Sequence, residues 1–359
     1  MSLLVTIVAS LFISLTNATK AISSEKLFNV VTSDPSADKR AVAFVDTVTG
    51  KDRIVEVNMS GEVVWEWKFP DKLISKRRRH ICKGADIKYL HSSDEILFII
   101  PRSGAYIVNR AGNYKTVIED DKITHDIDLL PNGNFIYTRG FVNKGDDEVR
   151  EITPSGKVIW KWSHAKYFPN RKLFLKVLSN RRKRKNLKSD GIDWAHVNGV
   201  ERYKNGNTLI SLRNFNMFVL VGPDSNPIKT FQNISFVHEP HKTTFGYIAA
   251  DRFAKKGHLL HSIIKITNEG KRTKLLKGQF KTVRGIESLP SGRFNITSVG
   301  NVFEINSEGK IFQQMHLKIM KEDTERNLNR RTKSVRKIFN KGRCRPLNLY
   351  KVAKTKLYK

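Results

Sequence analysis

The sequence predicts an all-β protein, a six-bladed β-propeller with a basic insertion and a basic C-terminal tail. Three observations carry this expectation. A unit recurs in which an apolar strand ends at a Gly-containing turn, a second strand follows, and a third meets another Gly turn before an aromatic-rich close. Apolar and polar residues alternate around these turns, and no long stretch of the repeat region shows a 3.6-residue apolar period. Units of four strands with Trp and Phe on their faces cannot bury both faces alone, so they must stack on one another; radial closure then leaves only short, protected edges. A β-sandwich would not explain six copies.

The copies follow in order along the chain. The first runs from about Ala41 through Ile54-Val55-Glu56-Val57 and the Ser60-Gly61 turn to Val63-Val64-Trp65-Glu66-Trp67. The second spans Ala85 to Ile118, with turns at Ser93-Asp94 and Ala111-Gly112. The third is the clearest: it begins at His125, turns at Asn132-Gly133 and Ser155-Gly156, and closes on Val158-Ile159-Trp160-Lys161-Trp162. The fourth starts near His196 and turns at Asn205-Gly206. The fifth spans Val237 to Phe280, and the sixth runs from Arg284 through Ser291-Gly292 to the Glu308-Gly309 turn. Residues 163–189 interrupt the pattern and read as an inserted loop or helix.

Composition sets the class. Of 359 residues, 39% are hydrophobic and 28% charged, which suits a protein with a sizeable core and excludes wholesale disorder. An apolar run from Leu3 to Leu15, followed by Thr16, Asn17, Ala18 and Thr19, has the form of a secretory signal peptide and is too short to span a bilayer. The expected organisation is a signal peptide over 1–20, the propeller over 38–317 and a basic tail over 318–359. The mature chain is expected to carry no transmembrane anchor, and its location to be periplasmic or secreted. Cys82 and Cys344 lie too far apart in sequence to form a CxxC motif, and whether they pair stays open.

The formal net charge of +31 implies attraction for anions. It concentrates at residues 76–79, in the 171–188 stretch and after Leu317, all outside the repeats, where an acidic polymer would find it. No zinc finger, RRM or helix-turn-helix pattern accompanies these runs. Lacking the strand-turn repeat, the tail is expected to be dispensable for the fold.

One repeat position collects polar residues. Counting eight back from the first Gly turn reaches His125 from Gly133, Asn198 from Gly206, His238 from Gly246 and Arg284 from Gly292. In a propeller the innermost strand of each blade begins at one mouth of the central channel, so equivalent positions converge on a common axis. His196, two residues before Asn198, faces the same way by the strand period of two. Arg213, beyond the Asn205-Gly206 turn, is a further cationic candidate. His80, His91, His164, His258, His261 and His316 fall outside the register and are assigned no role; His241 lies near His238 and could fall on either side.

Three histidines can hold zinc, but the adjacent arginines would repel a cation, and no metal or other cofactor is expected. An anionic tetrahedral group fits better, since Arg forks match its oxygens and a neutral imidazole can attack its central atom.

The segments His125-Asp126-Ile127-Asp128-Leu129-Leu130-Pro131-Asn132-Gly133-Asn134, Asp193-Trp194-Ala195-His196-Val197-Asn198-Gly199 with Ser211-Leu212-Arg213-Asn214, and Glu287-Ser288-Leu289-Pro290-Ser291-Gly292 resemble the arylsulfate sulfotransferase family. The likeness extends from about Ala41 to Gln314, and Asp-Trp-x-His-x-Asn followed by Ser-x-Arg is its most specific part. The resemblance implies a six-bladed propeller that moves a sulfuryl group from an aryl sulfate to a phenolic acceptor without a nucleotide, through a sulfated histidine. His238 would be the nucleophile, with His125, His196 and Arg213 binding the sulfuryl oxygens; Asn198 and Arg284, from the shared repeat register, are expected to bind substrate. The alternative is a non-catalytic propeller that binds an acidic polymer such as a sulfated glycan or nucleic acid.

Overall fold

A computed structural model of the chain describes residues 25–46, 51–74, 85–140, 142–168, 194–255, 258–280, 282–298, 300–317 and 351–357. The expected signal peptide, both cysteines and the basic runs at 76–79 and 171–188 lie outside the described residues. Strand β1 (Phe28–Ser33) precedes β2 (Val42–Asp46), β3 (Arg53–Val57) and β4 (Val63–Lys68) of blade 1. Blade 2 is β5 (Ile87–Leu90), β6 (Glu95–Ile100), β7 (Gly104–Val108) and β8 (Tyr114–Glu119). Blade 3 is β9 (Ile123–Leu129), β10 (Phe135–Arg139), β11 (Val149–Ile152) and β12 (Val158–Trp162). Blade 4 is β13 (Val197–Arg202), β14 (Thr208–Leu212), β15 (Met217–Val221) and β16 (Pro227–Phe231). Blade 5 is β17 (His241–Thr243), β18 (Gly246–Lys255), β19 (His258–Ile266) and β20 (Arg272–Phe280). Blade 6 is β21 (Val283–Ser288), β22 (Phe294–Ser298), β23 (Asn301–Ile305) and β24 (Ile311–Leu317), and β25 (Val352–Lys354) is the last strand among the described residues. The six copies are the six blades of the predicted propeller.

Turn chemistry explains the hairpins. Gly133 and Gly206 sit at φ +84° and +83°, a left-handed conformation that L side chains rarely adopt. The preceding Asn side chain accepts the backbone N–H two residues on in each, at 3.1 Å. Burial explains the stacking. Each of six apolar clusters lies between two neighbouring blades, and together they form a ring rather than one central core. Trp67, on the outer strand of blade 1, packs into the blade 2 cluster and donates its indole N–H to the Gly112 carbonyl at 3.0 Å.

The ring is closed by the tail, which corrects the propeller boundary at 317. Strand β25 pairs with β2 as the innermost strand of blade 1, with Val42 opposite Lys354 and Phe44 opposite Val352. Strand β1 adds a fifth, outermost strand to blade 6. Blade 1 is thus built from both ends of the chain, and residues 351–357 belong to the fold.

Carboxylates stitch the inner strands together. Asp86 of blade 2 accepts the Ile127 N–H of blade 3 at 3.0 Å, and Asp126 accepts that of Val200 in blade 4 at 2.7 Å. Glu201 accepts from Lys242, Glu239 from Ile286, and Glu287 from Lys354. Five of the six blade junctions therefore carry a hydrogen bond to a carboxylate acceptor, four of them buried or part-buried and the one at Glu201 exposed.

Candidate active site

The functional side chains are placed by breaks in regular strand geometry. Thr124 pairs with Thr138 and Ile127 with Tyr137, so His125 and Asp126 are squeezed out of the ladder. Asn198 and Gly199 are displaced in the same way between Val197 and Val200, and Arg284 between Val283 and Gly285. Such bulges re-aim side chains. His125 and His196 lie at φ +61° and +53°, and Phe236 and Glu239, which bracket His238, at +58° and +36°. Left-handed backbone at bulky residues costs energy that the surrounding structure must hold, and it gathers at sites that need a fixed geometry.

Packing locks these segments. The Glu148 carboxylate accepts the His164 backbone N–H at 2.8 Å and pairs with its ring Nδ1. That buried ring lies against Trp194 (5.9 Å between centroids) and Phe215 (5.0 Å). Trp194 and Phe215 flank the segments carrying His196 and Arg213, whose backbone N–H bonds the His196 carbonyl at 3.3 Å. The next turn reaches the loop before blade 5, where the Asn216 side chain accepts the Phe236 N–H at 3.1 Å.

The site has two connected parts. His125 and His196 stand with ring centroids 4.9 Å apart. His238, fully buried, donates its Nδ1–H to the Phe236 carbonyl at 2.8 Å, which fixes the tautomer. Its Nε2 lone pair accepts from the Arg284 guanidinium at 3.1 Å. Arg213 joins the two parts: its backbone is tied to His196, its guanidinium lies 4.7 Å from the Phe236 ring centroid, and its charge acts on His238. Burial, then Arg284 and Arg213, push the His238 imidazole well below its ordinary range, so it is neutral at neutral pH. Because the unfolded chain would protonate this histidine below about pH 6.5, its contribution to stability falls as pH falls through that value.

Of the residues read from sequence, His125, His196, Arg213, His238 and Arg284 are thus linked. Asn198 is buried and accepts the Ser211 hydroxyl at 2.6 Å; its Nδ2 has no hydrogen-bond partner among the described residues. His241 falls outside this group and pairs with Glu201 at 3.6 Å.

Sequence reasoning missed two neighbours on the middle strands of blade 5. Arg252 lies directly opposite His261 in the β18–β19 hairpin. The His261 ring is 6.3 Å from that of His238, and the Arg252 guanidinium lies 3.8 Å from the Phe236 ring centroid. Burial, then Arg252 and Arg284, push His261 down to about 3. An inner-strand register cannot reveal middle-strand residues; the available signal is the length of this hairpin, ten and nine residues against five or six in most strands.

Lys351 was also missed. Asp86, Asp126 and Glu239 bring carboxylate oxygens within 4.8 Å of one another, an arrangement that could hold a cation. The Lys351 ammonium lies 3.0 Å from both Asp86 and Asp126 and contacts Glu239. Burial works against the Asp126 carboxylate, but Lys351 and Lys88 hold it well below the usual range. A protein ammonium thus stands where a metal would be bound.

A solved protein of unknown function from Bacteroides caccae is similar over 77% of this chain and 94% of its own, at 16% identity and a TM-score of 0.51. A gluconolactonase from Xanthomonas campestris is similar at 7% identity, with a TM-score of 0.47 over 82% of this chain and 88% of its own. Likeness at such identity concerns the fold alone. No curated protein matches the chain. Among the described residues, no helix is long and apolar enough to cross a membrane. The arylsulfotransferase (ASST) model matches residues 82–232, which include His125, His196, Asn198 and Arg213, while His238 and Arg284 lie beyond the matched span. The family that the sequence resembles, and whose model its second to fourth blades match, is therefore the arylsulfotransferases.

Proposed function

We propose that the protein is a nucleotide-independent sulfotransferase that moves a sulfuryl group from an aryl sulfate to a phenolic acceptor, working in the periplasm or outside the cell. The observation that carries this reading is the state of His238: buried, neutral, with its proton committed to the Phe236 carbonyl and its Nε2 lone pair turned toward arginine. In the first step Nε2 attacks sulfur, the sulfur–oxygen bond to the aryl group breaks, and its electron pair leaves with the phenolate. In the second the acceptor oxygen attacks the same sulfur and the nitrogen–sulfur bond breaks. The proton lost by the acceptor balances the one taken up by the departing phenolate. Arg284 must release Nε2 for attack, and a sulfuryl oxygen is the partner that would draw it away. Arg213, His125 and His196 stabilise the charge that spreads over the sulfuryl oxygens.

The test is turnover of a chromogenic aryl sulfate by the purified protein, with and without a phenol. Acceptor-dependent release of the coloured phenol is expected. Arg213→Met and His196→Ala should each slow it on the order of 100-fold. Variants at wild-type rate would remove these residues from the site, and a wild-type protein without turnover would favour a non-catalytic, polymer-binding propeller.

A further inference from the structure

We propose that Arg252 and His261 are substrate-contacting residues that hold an oxyanion beside His238, taking a sulfuryl oxygen of the donor on the blade 5 side of the site. This rests on the sulfotransferase reading of the same site. The two residues face each other across the β18–β19 hairpin, and neither belongs to the repeat register or to the span that the family model matches.

Two observations point to a ligand. The His261 ring is 1% exposed, and its Nδ1 has no hydrogen-bond partner among the described residues. A buried ring nitrogen without a partner is unfavourable unless something supplies one. The second is the charge of Arg252. It makes no ion pair among the described residues, and the neighbouring charge acting on it is the like charge of Arg284. Its guanidinium rests on Phe236, the residue whose carbonyl fixes the His238 tautomer and whose ring Arg213 also approaches.

Two like-charged guanidiniums and two neutral imidazoles converging on one aromatic ring repel one another's protonated forms. They are jointly stabilised by a ligand that is anionic and rich in acceptors. An oxyanion satisfies both residues, accepting from the Arg252 fork and from the His261 Nδ1–H. A phenol or an apolar ring would leave the guanidinium uncompensated.

Inorganic sulfate is the probe, titrated into the full chain by calorimetry, with circular-dichroism melts to verify folding of each variant. Arg252→Met and His261→Phe should each weaken sulfate binding about 10- to 100-fold. His261→Gln, which can still donate, should lose less than His261→Phe; if the Phe variant fails to fold, Arg252→Met and His261→Gln decide. Sulfate bound as tightly by Arg252→Met and His261→Gln as by wild type overturns the assignment, even if both transfer sulfuryl groups normally. Sulfate binding that depends on both residues in a protein without transfer activity keeps the subsite and removes the transferase reading.

Discussion

Replacing His238 with Asn is expected to lower sulfuryl transfer at least about 10⁴-fold, the scale on which enzymes respond to loss of a covalent nucleophile. Asn is close to His in size and can still donate to the Phe236 carbonyl as Nδ1 does, so the loop should keep its shape. What it lacks is a nucleophilic lone pair where Arg284 meets Nε2. Steady-state release of the phenol measures the effect, and an unchanged melting temperature separates lost chemistry from lost fold. Activity within tenfold of wild type would move the chemistry to another residue, with the His125–His196 pair the nearest candidate.

Removing residues 351–359 is expected to abolish the cooperative melt, because it deletes the innermost strand of blade 1 and the cation among three buried carboxylates. Lys351→Met isolates the second effect. Lys88 still faces Asp86 and Asp126, so the loss falls chiefly on Glu239; leaving a buried carboxylate without its counter-charge costs about 3–5 kcal/mol. In that variant the carboxylates would bind protons more tightly folded than unfolded, so its stability deficit should grow as pH rises and shrink as pH falls. Thermal melts between pH 4 and 8 read both. A truncated chain that melts like the intact one would show that β25 is not needed to close the ring.

The blades were legible because their chemistry is local: an Asn-Gly turn at Gly133 or Gly206 needs only its own residues, and strand alternation reports burial on one face. The same register found His125, Asn198 and Arg284, since each bulge recurs at one place in its blade. Closure was not legible. Strand β25 is three residues long within a lysine-rich tail, and only the distant β2 reveals that Val352-Ala353-Lys354 is a strand. The carboxylate ring was visible in part, one acid in or beside the inner strand of five blades at Asp86, Asp126, Glu201, Glu239 and Glu287. Its meaning depends on backbone N–H groups of the next blade. Arg252 and His261 lie near His238 on an extended hairpin, and its unusual length is the one signal within blade 5, which does not say which of its residues face the site.

The central claim is that His238 carries the sulfuryl group between donor and acceptor. Brief exposure of the wild-type protein to an aryl sulfate without acceptor, followed by quenching at alkaline pH and peptide mass spectrometry, tests it directly. An added sulfuryl group is predicted on the peptide containing His238 and on no other, and it should disappear when a phenol is supplied before the quench. Turnover of the donor with no such group on that peptide, or with the group on a different histidine, would contradict the account.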